Sequence, residues 1–158
     1  MATVLRTIEF LSLSLWLGSD VFLSFVVAPG AFRVLASRDE AGAIVGFALG
    51  RMHWLGVACG IVLLLARLLR TRTPASLTPV ALCVLLMIAL TAVSQVAVSP
   101  KMAELRVRMG SIQAMAAGNP LLEEFSRLHR VSVTLESGVL LAGFAAMYLM
   151  VKELTSSR

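Results

Sequence analysis

The stretch Phe10–Phe32, FLSLSLWLGSDVFLSFVVAPGAF, decides the fold. It is long enough to cross a hydrocarbon core, which takes about 20 helical residues, and its single charge is Asp20. Backbone groups surrounded by lipid must bond within their own segment, so such a stretch has to be a helix. Asp20 and the upstream Glu9 interrupt the apolar run, and Ala28-Pro29-Gly30-Ala31 is a poor small-residue cleavage site. The stretch is therefore expected to remain as a first transmembrane helix over about 4–32 rather than act as a signal.

Working outward, three further apolar blocks follow. Trp54–Ala66 has no charge, Thr73–Lys101 has none except at its end, and Val131–Val151 has only Glu136. Ser37-Arg38-Asp39-Glu40 matches the S-x-x-E capping box and starts a second helix, about 38–70. Arg67, Arg70 and Arg72 end it, and Pro74 and Pro79 punctuate the turn. A third helix is expected over about 77–98, stopping before Pro100. In the segment 101–120, Met102, Leu105, Val107 and Met109 alternate with Lys101, Glu104, Arg106 and Arg108, which predicts a short interfacial helix broken at Gly110 and Gly118. Asn119-Pro120 supplies an N-cap and a first-turn proline for a fourth helix, about 120–153. The fold class that follows is all-α: one integral-membrane four-helix bundle, residues 1–158 in a single domain.

Composition agrees. The 158 residues are 58% hydrophobic and only 15% charged, and mean hydropathy is +0.88. A net charge of +5 with a pI near 10.2 suggests nucleic acid at first sight. The basic residues sit at the ends of apolar blocks without interleaved aromatics, however, so anionic lipid head groups explain the balance and no nucleic-acid partner is expected. Expected partners are the bilayer and other membrane helices, as a homo-oligomer or a larger complex. Cys59 and Cys83 fall in different spans at different depths, and no disulfide is expected between them. The short Arg67–Arg72 stretch is basic and acid-free, which places both termini in the cytoplasm.

Gly42, Gly46 and Gly50 recur every four residues, and Gly56 with Gly60 repeats the spacing. Small-xxx-small patterns let helix backbones approach closely, so this is a packing face. Intramembrane carboxyls are the sharper functional signal, because an unpartnered one is costly in lipid. Glu9, Trp16 and Asp20 share one face of the first helix; His129, Ser132 and Glu136 form a comparable stripe on the fourth. Glu9, Asp20, Glu136, His129 and Ser132 are thus the candidate intramembrane polar site. Three outcomes are open for Asp20 and Glu136: a hydrogen-bonded structural contact, a proton or cation path, or a metal site completed by histidine. His53 continues the glycine face and is expected to pack against a neighbouring helix. As the alternative, His53 and His129 begin the membrane parts of their helices at a shared depth, which makes them candidate ligands for haem b or a transition metal. No cofactor motif stands behind that alternative. There is no P-loop, no G-x-S-x-G, no zincin motif and no Cys–His cluster, so soluble-enzyme chemistry has no foothold. The expected roles are those of an accessory or interaction subunit, or of a small-solute or ion carrier, with transport as the activity class.

Short runs carry a family resemblance. Trp16-Leu17-Gly18, followed by Phe25-Val26-Val27-Ala28-Pro29 and Phe32, resembles the first helix of the family that includes transmembrane protein 205. Val98, Pro100 and Leu105-Arg106 are similar to the end of that family's third helix. Phe125-Ser126-Arg127-Leu128-His129 with Ser132 is similar to the opening of its last. The resemblance implies a four-helix membrane protein and no defined activity. Where relatives often place asparagine seven residues after the histidine, this chain has Glu136. A more distant likeness is to four-helix membrane haem proteins of the bacterial protoporphyrinogen-oxidising type. Those carry a histidine one heptad before a similar tryptophan, and here that position is Glu9.

Overall fold

The computed structural model describes residues 1–71 and 78–156. Arg72, Pro74 and the expected start of the third helix at Leu77 lie outside them. Four helical rods, Ala2–Val34, Arg38–Thr71, Pro79–Met109 and Pro120–Ser156, are each long and apolar enough to cross a membrane. The described residues contain no strand. The chain is an all-α, four-helix, multi-pass membrane protein.

Two rods are interrupted in the same way. The first comprises α1 (Ala2–Phe22), a π-helical turn at Leu23–Val27, and α2 (Ala28–Val34). The second rod is α3 (Arg38–Thr71). The third comprises α4 (Pro79–Val93), a π-helical turn at Ser94–Val98, and α5 (Ser99–Met109); α6 (Pro120–Ser156) is the fourth. Each π turn closes immediately before an X-Pro pair. The Ala28 N–H bonds the Leu23 carbonyl ahead of Pro29, and the Ser99 N–H bonds the Ser94 carbonyl ahead of Pro100. Proline has no N–H, and its ring clashes with the carbonyl four residues back. A wider π turn shifts that carbonyl aside and absorbs the missing donor. This is why the helix does not stop before Pro100: the expected short helix exists as Ser99–Met109, but it runs on from the third span.

The caps read from the sequence are present. Ser37 Oγ accepts the Glu40 N–H at 3.3 Å, and Asn119 Oδ1 accepts the Leu121 N–H at 2.9 Å. Thr78 caps α4 by accepting the Ala81 N–H at 3.3 Å. Between α5 and α6 the chain turns through positive φ at Gly110 and Gly118, the positions that needed glycine. Asp39 ties this loop to α3 by accepting from Ser111 Oγ at 2.6 Å and from the Ile112 N–H at 2.9 Å.

Packing is uneven along the bundle. α1 packs mainly on α3, and α4 on α6. The hydrophobic core, built from Leu13, Trp16, Leu63, Val84, Val139 and Ala146 among others, lies in the half nearer the termini. Gly56 and Gly60 make it possible. A Cβ at Gly56 would collide with the Trp16 indole, and one at Gly60 would stand 2.7 Å from Trp16 Cζ3. The two glycines thus provide the flat strip of α3 on which the indole lies. In the other half the helices part. α2 buries nothing, and α3 buries nothing between Gly42 and Met52.

Candidate functional site

Two polar clusters occupy the interior, at different levels. The first sits at the end where α1 begins and α3 and α6 finish. Arg67, only 2% exposed, donates from Nη1 to Glu9 at 3.1 Å, from Nε to Thr78 Oγ1 at 3.0 Å, and from Nη2 to Glu153. Arg70 donates from Nε and Nη2 to the two Glu9 oxygens, at 2.6 and 3.1 Å. Charge-assisted and forked, these bonds tie α1, α3 and α6 together. Every buried oxygen of Glu9 is answered. Glu9 therefore belongs to a structural clamp; eleven residues, about 16 Å of helix, separate it from Asp20.

The second cluster lies where the tight core gives way to the parted half. His53, 1% exposed, is held by both ring nitrogens: Nδ1 lies 2.8 Å from Gln95 Oε1, and Nε2 lies 2.6 Å from Glu136 Oε1. With the amide oxygen as acceptor, Nδ1 carries a hydrogen. Whether imidazolium faces carboxylate or imidazole faces carboxylic acid, one proton lies between Nε2 and Glu136 Oε1. Ser94 Oγ donates to the same oxygen at 3.4 Å. Asp20, with no exposed surface, lies beside Glu136 and within electrostatic reach of His53. Neither Asp20 oxygen has a hydrogen-bond donor, and Glu136 Oε2 and Thr91 Oγ1 also have none. Ionised carboxylates only accept, so two of them side by side bond each other only through a shared proton. The π turns flank this cluster: Ser94 and Gln95 open one, and the other begins three residues after Asp20.

Glu136 also forms part of the wall of a groove of about 760 Å³ in the parted half, within the range of small-molecule sites. The rest of the lining is largely apolar, with Phe25, Phe32 and Phe47 prominent. Ser132, Gly46 and the exposed His129 line it as well. Arg106 reaches in over Gly42, where a Cβ would come within 2.6 Å of its Nη1, and stacks on Phe125 at 5.2 Å.

The structure therefore brings Asp20 and Glu136 together, with Ser132 and His129 along the groove, and leaves Glu9 elsewhere. His53 is joined to the acids instead of to His129, and both its ring nitrogens are engaged. Among the described residues no three His, Cys, Asp or Glu side chains are placed to hold a metal ion. The glycines divide. Gly42 lies under Arg106, Gly46 has nothing within 4 Å of a Cβ, Gly50 comes 3.9 Å from Gln95 Oε1, and Gly56 and Gly60 seat Trp16. Gln95, Ser94 and Thr91 were not picked out from the sequence. They are the polar residues of the third span at i, i+3 and i+4, a spacing that puts them on one face. Arg67 and Arg70 end the second span in the sequence, and the fold turns them inward onto Glu9 and Glu153.

No curated protein and no solved structure matches the chain. Residues 11–111 match a family model, and that stretch contains Asp20, His53, Gln95 and both π turns but not Glu136. It covers more than half of the sequence, and the chain belongs to the family described as a domain of unknown function, DUF4149.

Proposed function

We propose that the protein is a small-solute carrier whose solute site is the groove and whose proton-handling element is the Asp20–Glu136–His53 chain at its floor. The observation behind this reading is the contrast between the two clusters. The Arg67 clamp satisfies its buried acid, as a structural contact should. Asp20 and Glu136 retain three carboxyl oxygens without donors next to a cavity. Unanswered polar atoms are costly inside a membrane protein and call for a proton or a ligand. A redox role has less support, because haem iron would have to displace Gln95 or Glu136 from His53. The likeness to the transmembrane protein 205 family fits a membrane role and adds no activity.

Infrared difference spectroscopy of the reconstituted protein tests the reading. Stepping the pH across about 5 to 8, the window in which imidazole normally titrates, should reveal carboxyl and imidazole bands that Glu136→Gln removes or shifts. If no carboxyl or imidazole band responds in that range, the cluster is static and the carrier reading falls.

We also propose that both termini are cytoplasmic, so that the groove half faces the opposite side. With Cys59 and Cys83 replaced, Ala114→Cys should react with an impermeant maleimide on intact cells and Thr155→Cys only after lysis. The reverse pattern would invert the topology.

A further inference from the structure

We propose that the floor of the groove binds a small lipophilic ammonium ion, with its N–H donors on Glu136 and Asp20 and its apolar part against the groove lining. This rests on the reading of the groove as a solute site and names the class of solute.

The chemistry of the floor selects the charge. Its unanswered atoms are carboxyl oxygens, Oδ1 and Oδ2 of Asp20 and Oε2 of Glu136, and all three are acceptors. An anion there would face two carboxyls. An ammonium group brings three donors, which matches the three oxygens. Glu136 lines the groove and the fully buried Asp20 beside it does not, so an entering donor meets Glu136 first and reaches Asp20 only as the Glu136 side chain moves. The walls select the rest of the ligand. A hard divalent ion such as Ca²⁺ takes about six to eight oxygen ligands, and among the described residues no three His, Cys, Asp or Glu side chains are placed to hold a metal ion. Phe25 and Phe32 line the groove and offer apolar area and ring faces to a cation. Phe47 already carries the Arg51 guanidinium at 5.2 Å, so a ring in this region does accept a cation.

Charges from every side are accounted for. α1 contributes Asp20, α3 His53 and α6 Glu136, while Thr91, Ser94 and Gln95 of α4 and its π turn are neutral. The cationic Arg106 lies at the level of Gly42, eleven residues and about 16 Å along α3 from His53, and Asp39 offsets part of its charge. His129 lines the groove from α6. The floor is therefore the acidic end of a groove whose other end is basic.

Binding is an exchange. The proton lying between His53 Nε2 and Glu136 Oε1 leaves as the ammonium enters, so one positive charge replaces another and the cluster keeps its net charge. Affinity for the cation must then fall as pH falls, by up to about tenfold per unit where exchange is one for one.

The test uses purified protein in nanodiscs, with phenethylammonium as probe and decanoate as the anionic control. Titration calorimetry should show saturable 1:1 binding of phenethylammonium and, in weakly buffered solution, release of one proton per cation. Glu136→Gln, which keeps a hydrogen-bonding partner for His53, should weaken binding by about ten- to a hundredfold, the scale of one charge-assisted hydrogen bond. Circular dichroism checks that the variant is folded. If it is not, proton release by the unaltered protein decides. Absent saturable ammonium binding, or binding without proton release, the proposal is overturned. Decanoate binding that Arg106→Gln abolishes and that excludes phenethylammonium would make the groove an anion site and overturn it as well. Infrared bands that still titrate in a protein indifferent to ammonium would leave the carrier reading standing with another solute. Silent bands would remove both.

Discussion

Replacing Arg67 with methionine is expected to destabilise the folded protein by about 3–5 kcal/mol, the scale found when one partner of a buried ion pair is removed. The expectation comes from what is left behind. Glu9 is 1% exposed and would keep only Arg70, while Thr78 would lose the Nε donor and Glu153 its buried partner. Arg70 cannot replace Arg67, because it is already committed to both Glu9 oxygens. Removing the acid together with the base should cost less. Arg67→Met combined with Glu9→Leu removes the excess negative charge and leaves Arg70 facing Glu153 at 3.8 Å, and apolar replacement of a buried pair is often neutral. Loss of helicity on titrating SDS into detergent-solubilised protein would measure both variants. A single variant within 1 kcal/mol of the unaltered protein would mean that water or lipid head groups already carry Glu9.

The clamp also shows where sequence reading stopped. Hydropathy gave four spans, and the capping residues Ser37 and Asn119 gave two helix starts, because these signals are local in the chain. Glu9 on the face of Trp16 and Asp20 was legible for the same reason, and all three are buried together. The partner of each acid was not legible. Arg67 is followed closely by Arg70 and Arg72, and that pattern looks the same whether the guanidinium faces lipid head groups or turns inward to Glu153, 86 residues away. Pro100 was misleading in another way. Proline normally ends a helix, and nothing in the order Ser99-Pro100 announces the π turn that lets the rod continue to Met109. Yet Ala28-Pro29 repeats the arrangement; one of the two turns begins three residues after Asp20 and the other contains Gln95.

His53 had the less certain future in the sequence, either a packed histidine or a metal ligand, and it turns out to connect the acids to α4. Its replacement by leucine is the second large expected effect. Leucine fills much of the same volume but leaves Gln95 Oε1 and Glu136 Oε1 without the ring. Each such loss at a buried group costs about 1–3 kcal/mol, which gives about 2–6 kcal/mol in the same SDS titration, toward the lower end because Ser94 Oγ still donates to Glu136 Oε1. His53→Gln retains one amide donor and should recover part of it. Stability alone would not separate a structural histidine from one that exchanges protons, so the infrared response is the second readout. In His53→Leu the carboxyl bands should titrate over a different pH range, because the imidazole facing Glu136 is gone. In Arg67→Met they should not move. The clamp lies about 16 Å away along α1, and sites that share no partner act additively. A His53→Leu protein with an unshifted carboxyl response would reduce His53 to a packing residue, and the proton-handling element to Asp20 and Glu136 alone.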